Sequence, residues 1–486
     1  MTSYNKQPVF RNLDSVKRFM EEEVGVGKSF DAEYRELIIH DTRVHMYYVN
    51  GLCETQVIVE VLELLIQTDE LERSDIPIED LIRNRIAHQQ FEESTDLDKI
   101  VTDMLSGLMA IFIEGYDKVM IIDVRSYPGR GPEEPDTERV VRGSRDGYTE
   151  NIIENTALTR RRIRDHRLRN EMIQVGNRSK TDLCITYIKD LADPKLLQLV
   201  KDKLEAIDIE GLSMTDKTIE EFIVHQGFNP FPLVRYTERP DVASDHLFEG
   251  HIILMIDTSP SMVIIPISYF HHLQHAEEYR QAPAIGSFVR LVRFIGIFVS
   301  LFLLPFWYLL ATNDQFLPDM LHFIGPEDEG NVPLLVQIVL ADLGVEFLRM
   351  AAIHTPNPLS TAMGLIAAVL IGEIAIEVGL FTPEVILYVS LCAIGTYATP
   401  SYELSVANKM SRLFFMLSTA LFGLPGLVIS ATIYFIGLIN THALRVPYFW
   451  PLIPFNFKAL LQILIRYKMP SEQTRPSITS PKQRNR

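Results

Sequence analysis

The chain has 486 residues, 47% of them hydrophobic, which is more than one core normally organises, so at least two domains are expected. With 63 acidic against 46 basic side chains and a formal net charge of -17, a chain-wide nucleic-acid surface is excluded, because phosphate binding needs an excess of Lys and Arg. Cys53, Cys184 and Cys392 are too widely spaced for a zinc knuckle or a CxxC pair, which argues against a disulfide framework or metal site and suits a reducing compartment.

Residues 1–30 are polar and contain no apolar run of signal-peptide type, so they read as a helical or loose lead-in to a domain that stays on the cytoplasmic side. RELIIH (35–40) and VHMYYVNG (44–51), parted by Asp41, Thr42 and Arg43, have the pattern of a hairpin. Val57, Val61, Leu64 and Leu65 recur at helical spacing, a second helix is expected from Asp98 to Ile113, and Glu114-Gly115 leads into a strand at 118–123. A comparable order returns with EMIQVG (171–176), NRSK as a turn, TDLCITYIKD (181–190), a helix at 193–207 and the strand HIILMID (251–257). Arg35 to Asp123 spans 88 positions and Glu171 to Asp257 spans 86, so the soluble half is expected to hold two similar α/β modules, 31–126 and 146–285, related by duplication. A linker at 127–145 joins them, and SYPGRGPEEPD (126–136) is its run richest in Pro and Gly.

Three patches carry chemistry of their own. Asp257-Thr258-Ser259-Pro260-Ser261 follows an apolar strand and fits a DxSxS arrangement for Mg²⁺, against the plainer reading of a strand-end turn with too little chain left for the remaining ligands. His271, His272 and His275 include an i, i+4 pair without a HExxH glutamate, which favours a surface or interfacial cluster over a metal centre. The run TRRRIRDHRLRNE (159–171) is strongly basic, and a solvated helix, anionic headgroups or an acidic neighbouring subunit suit it better than nucleic acid. Arg160, Arg161 and Arg162 have no paired nucleophile or general base, so no enzyme is expected.

Leu291 to Thr312 is an apolar run of bilayer length and the first expected span. Residues 313–331 are acidic and expected outside, and spans follow near 358–380, 384–399 and 413–439, the last bent at Pro425. Residues 333–353 carry Asp342, Glu346 and Arg349 one turn apart, which favours an amphipathic or re-entrant segment. The 441–486 tail is basic and expected in the cytoplasm, which puts Lys409 and Arg412 on the wrong side unless a fifth span or a hairpin around Pro425 intervenes. Ala362, Ile366, Val369, Glu373 and Glu377 share one helical face. That face reads either as a cation pathway with an apolar constriction and acidic rings, or as carboxylates paired with a cation such as Arg349 or lying near headgroups. The fold class is therefore an α/β soluble N-terminal domain followed by an α-helical polytopic membrane domain at 286–440.

RVVRGSRDGYTENIIENTALTRRRI (139–163), NPFPLVRYTERPDVASDHLFEGHIILMIDTSPSMVIIP (229–266), EEYRQAPAIGSFVRLVRFIGIFVSLFLLPFWY (277–308) and GEIAIEVGLFTPEVILYVSLCAIGTYATPSYELSVANKMSR (372–412) resemble the A subunits of GerA-type spore germination proteins. The resemblance covers nearly the whole chain. It implies a protein of the bacterial spore inner membrane, a homo-oligomer of about five subunits that passes monovalent cations, acting beside other germination membrane proteins in the lipid bilayer. It carries over no catalytic residue, cofactor or metal.

Overall fold

The computed structural model describes residues 9–39, 41–69, 91–126, 138–224, 226–313, 324–326, 331–354, 364, 370–468, 475, 477–479 and 481. The chain divides into two compact units. One holds Met1–His225, Val234–Ile267 and Glu472–Arg486, and the other holds Gln226–Leu233 and Ser268–Ser471.

The first unit is built on two five-stranded sheets. In the first module α1 (Leu13–Phe19) precedes β1 (Ala32–Ile39) and β2 (Thr42–Val49), followed by α2 (Thr55–Asp69), β3 (Phe91–Ser94), α3 (Leu97–Leu105), β4 (Met109–Ile113) and β5 (Val119–Ile122). The second module runs through α4 (Ile152–Arg162), β6 (Leu168–Val175), β7 (Thr181–Ile188), α5 (Pro194–Glu205), α6 (Thr215–Ile223), β8 (Arg235–Thr237), α7 (Pro240–Glu249), β9 (Ile252–Ile256) and β10 (Met262–Ile265). The sheet orders are β1-β2-β4-β5-β3 and β6-β7-β9-β10-β8, one topology used twice. The strand pairs described are antiparallel in both sheets.

Period-two alternation gives the first sheet two apolar faces. Tyr47, Val49, Ala110, Phe112 and Ile121 pack with Leu13, Val16, Met20, Ile100 and Met104, while Val44, Met46, Ile111 and Ile113 pack with Val61 and Leu65. Helices on both sides make a three-layer module. The lead-in, expected as helical or loose, is helical over Leu13–Phe19 and supplies core residues. One expectation changes here: the helix expected over 98–113 stops at Leu105. MAIFI (109–113) is instead a fully buried strand paired with both β2 and β5; buried on both faces, it lacks the alternation that would have marked it. The linker run at 127–136 lies outside the described residues.

The modules meet through buried polar contacts. Arg160 Nε donates to Asp31 Oδ2 at 3.0 Å, with side chains 1% and 2% exposed. Asn170 Nδ2 donates to the same oxygen at 3.0 Å, and Ser29 and Phe30 hydrogen-bond the Asn170 backbone. The C-terminal segment also belongs to this unit: Arg475 Nε donates to the Phe248 carbonyl at 2.8 Å and Thr479 to that of Glu249 at 2.7 Å.

The second unit is helical, with α8 (Pro283–Ala311), α9 (Leu334–His354), α10 (Pro383–Tyr397), α11 (Tyr402–Asn440) and α12 (Phe457–Leu464). Among the described residues α8 and α11 are long and apolar enough to cross a membrane by length and composition. The expected bend at Pro425 is a reversal at Gly423, whose φ of 64° and ψ of -142° interrupt the helix. Tyr434 returns to pack edge-on against Phe415 at 5.5 Å, and its hydroxyl donates to Asn408 Oδ1 at 3.4 Å. In a straight helix residues 408 and 434 would lie about 39 Å apart at 1.5 Å per residue. Thus α11 is a hairpin with arms 402–422 and 424–440. The basic segment after it is ordered too, since buried Arg290 of α8 holds Glu278 at 2.6 Å and the Gln462 and Ile463 carbonyls of α12 at 2.9 Å.

In a background lacking the native cysteines, the Asn408→Cys, Tyr434→Cys variant is expected to be bridged within one chain by a bifunctional methanethiosulfonate reagent in membranes, read as a gel shift reversed by reductant. Absence of the cross-link would contradict the hairpin.

Candidate functional site in the helical bundle

Helix α9 places Asp342, Glu346 and Arg349 at spacings of four and three, which stacks them along one face. The first arm of α11 does the same with Ser405, Lys409 and Arg412. The contacts run in opposite senses, 342 with 412, 346 with 409 and 349 with 405, so the two helices are antiparallel. Arg412 Nη2 meets Asp342 Oδ1 at 2.6 Å, both side chains 2% exposed. Its Nη1 donates to the Ser300 carbonyl of α8 at 2.8 Å and to Thr396 Oγ1 of α10 at 3.4 Å, so one guanidinium ties four helices together.

Lys409 Nζ donates to Glu346 Oε2 at 3.0 Å and to the Asp342 carbonyl at 2.8 Å. Arg349 Nε donates to Glu346 at 3.0 Å, its Nη1 to Ser405 Oγ at 3.0 Å, and its guanidinium stacks over Tyr402 at 4.8 Å. Three cations face two carboxylates. Asp342 Oδ2, Arg412 Nε and Asn408 Nδ2 are buried without a hydrogen-bond partner among the described residues, so the cluster can accept a further hydrogen bond at Asp342 and donate others from Arg412 and Asn408. Burying such charges singly in an apolar bundle is costly, and each is offset here by an opposite charge or a carbonyl.

Sequence spacing picked out Asp342, Glu346 and Arg349 but not their partners. Lys409 and Arg412, which conflicted with the expected topology, are those partners, and only the reversal at Gly423 makes their placement intelligible. The cation expected as an alternative partner for Glu373 or Glu377, Arg349, is engaged by Glu346 instead. Glu373 lies in a π-helical turn (Leu370–Ile374) and Glu377 in the short helix Ala375–Glu377, both exposed. Ala362, Ile366 and Val369 lie outside the described residues.

The other sequence motifs have hydrogen-bond partners within the protein. Asp257 Oδ1 accepts the Ile152 N–H at 3.2 Å and so caps α4, a use for the DTSPS carboxylate that needs no cation. His271 and His272 are buried rather than surface residues: His271 Nδ1 contacts the Ser268 hydroxyl at 2.9 Å, and His272 Nε2 the Pro232 carbonyl at 3.1 Å. His275 Nδ1 accepts the Glu277 N–H at 3.2 Å. Much of the basic run is paired within the protein, with buried Arg160 on Asp31, half-buried Arg162 on Asp146 at 2.7 Å and Arg167 on Asp165 and Asp190, and buried Arg169 on the Glu23 carbonyl at 2.7 Å, while Arg161 and Arg164 are exposed. A solvated basic helix is therefore corrected to a set of ion pairs, with Asp31, Asp146 and Asp190 outside the run and Asp165 within it.

Arg412→Gln leaves Asp342 buried without its guanidinium and is expected to lower stability by about 3–5 kcal/mol. Adding Asp342→Asn should recover part of that loss, giving a coupling of at least about 1 kcal/mol in a double-mutant cycle read from thermal unfolding in detergent. Strictly additive losses would contradict the pairing.

Residues 19–478 match the family described as Bacillus/Clostridium GerA spore germination protein. The chain is 56% identical over 478 residues to "Stage V sporulation protein AF" of Bacillus subtilis (strain 168), covering 98% of this chain and 97% of that protein. It is 28% identical to "Spore germination protein KA" of the same organism, over 98% of this chain and 88% of that one. The crystal structure of the N-terminal domain of the A subunit of the Bacillus megaterium spore germinant receptor GerK3 superposes with a TM-score of 0.42 at 23% identity, over 54% of this chain and 97% of that one. With a family match along nearly its whole length, the chain belongs to the Bacillus/Clostridium GerA spore germination protein family.

Proposed function

We propose that the chain is a multi-pass protein of the bacterial spore inner membrane, and that identical copies, about five by the family resemblance, surround a gated cation pathway used in germination. The observation that carries this reading is the division of the bundle's carboxylates into two sets. Asp342 and Glu346 are neutralised inside a single chain, whereas Glu373 and Glu377 are exposed in it. Exposed carboxylates beside an apolar segment need water or another subunit around them, and repeated around a ring they create a negative mouth that attracts cations. The narrow part of the path is assigned to Ile366 or Val369, with Ala362 further along the same face.

The hairpin and the antiparallel packing of α9 on its first arm favour six crossings: α8, α9, the 358–380 stretch, α10 and the two arms. An even number leaves the α/β domain and the C-terminal residues on one side, in keeping with the packing of Arg475 and Thr479 on Phe248 and Glu249. Lys409 and Arg412 then lie on an arm that starts from the spore core, which removes their conflict with the positive-inside tendency. A second reading, a non-conducting scaffold that organises germinant receptor or dipicolinic acid channel proteins, is favoured by the internal neutralisation of the α9 and α11 charges, which a purely structural bundle needs equally.

Purified protein in liposomes separates the two. The channel reading expects potassium flux that falls with a bulkier residue at Ile366 or Val369, and that falls at least about threefold in the Glu373→Gln, Glu377→Gln variant with unchanged protein abundance. Flux unaffected by all of these would contradict it. Cysteines placed at positions 319 and 471 should label from opposite sides of the membrane; labelling from the same side would overturn the topology.

A further inference from the structure

Helix α12 turns an apolar side outward. Asn456 Oδ1 caps it by accepting the Ala459 N–H at 3.1 Å, and Ala459 and Ile463, one turn apart, form its buried face. Rotated from that face by about a third of a turn lie Phe457 and Leu464, 62% and 41% exposed, with half-buried Leu460 and Leu461 beside them. Lys458 and Gln462 occupy the third side. A helix facing water would carry polar residues where α12 carries Phe457 and Leu464. The chain keeps this pattern on either side, with Phe455 exposed before the helix and Ile465 and Tyr467 exposed after it.

Contacts with α8 fix the level at which this helix lies. Arg290 donates to the carbonyls at its C-terminal end, and the Arg466 N–H donates to Ser287 Oγ at 3.0 Å. Ser287 and Arg290 belong to the turns of α8 ahead of the apolar run that starts at Leu291, so α12 sits beside the entry of α8 into that run. Ile285 and Phe288 on the same turns are exposed, and both helices therefore present apolar surface at this level. Charge completes the pattern. Residues 445–468 contain four cations, Arg445, Lys458, Arg466 and Lys468, and no acid. Lys458 and Lys468 are exposed and make no hydrogen bond or ion pair among the described residues, whereas the acid near the start of α8, Glu278, is buried and held by Arg290 and Arg293. An acidic protein face would pair the lysines and leave the apolar side uncovered; the boundary between anionic headgroups and acyl chains satisfies both.

We propose that α12 lies flat in the headgroup layer of the bilayer, with Phe457 and Leu464 in the acyl boundary and Lys458 and Lys468 on the phosphates of anionic phospholipids. The proposal rests on the reading of α8 as a membrane span and adds a lipid preference to it, without depending on ion conduction.

The test uses the full-length chain without its native cysteines, in liposomes of mixed phosphatidylcholine and phosphatidylglycerol. A thiol-reactive fluorophore is attached in the Leu464→Cys or the Phe298→Cys variant and challenged with aqueous cobalt ions or with lipid carrying a nitroxide on its acyl chain. At position 464 the nitroxide lipid is expected to quench and cobalt is not, and nitroxide phosphatidylglycerol should quench at least about threefold more effectively than nitroxide phosphatidylcholine. Adding Lys458→Gln and Lys468→Gln should remove that preference, and raised salt should weaken it. Quenching by cobalt alone, shielding from both quenchers as by a covering protein surface, equal quenching by the two lipids, or a preference unchanged without the lysines would each overturn the proposal. The comparison of the two lipids with both lysines in place stands even where the lysine variant folds poorly. Position 298, exposed on α8, separates the two readings: nitroxide quenching there with none at 464 overturns the interfacial helix alone, whereas none at either position contradicts α8 as a span.

Discussion

Charge inside an apolar helical bundle has to be cancelled where it is buried, and the Asp342–Arg412 pair is where this protein meets that demand. Arg412 reaches an acid on α9, a carbonyl on α8 and a hydroxyl on α10 from one planar group, which a lysine could not reproduce. The pairing requires α9 and the first arm of α11 to run antiparallel at matched depth. That depth is the middle of the bundle, because Ser300 sits near the centre of α8. The reversal at Gly423 then brings Tyr434 over Phe415 and Asn408, closing the polar cluster from the other side.

The α/β domain handles its own buried charge in the same way. Asp31 sits where the modules meet and takes two donors from the second, Arg160 and Asn170, while Asn170 Oδ1 accepts from Thr186 at 2.8 Å. Each module has a sheet of its own, and the join between them combines these buried polar contacts with Ala157 of α4 packed into the first module's core. The C-terminal residues fasten to the carbonyls at the end of α7, so both ends of the chain beyond the bundle belong to one unit.

Much of this was legible from local pattern. The hairpins at 32–49 and 168–188, the helices at 55–69 and 194–205 and the apolar helix at 283–311 follow from periodicity and turn residues. MAIFI was not, because a strand buried on both faces has no period and can pass for the end of a helix. The basic run at 159–171 misled for another reason: Asp31, Asp146 and Asp190 neutralise it from positions that sequence adjacency does not reveal. Lys409 and Arg412 carried the most useful local signal. Two cations at the wrong end of a supposed single span pointed to the hairpin, and Gly423 with Pro425 marked its place.

The central claim is that the charges of α9 and α11 form a closed internal cluster while the water path runs past Glu377. Blockade of potassium flux by a water-soluble charged thiol reagent tests it most directly, in vesicles carrying Glu377→Cys or Thr396→Cys in a background without the native cysteines. The account predicts modification and loss of flux at position 377, and neither at position 396, whose side chain lies beside Arg412. Loss of flux on modification at 396, with position 377 silent, would contradict it.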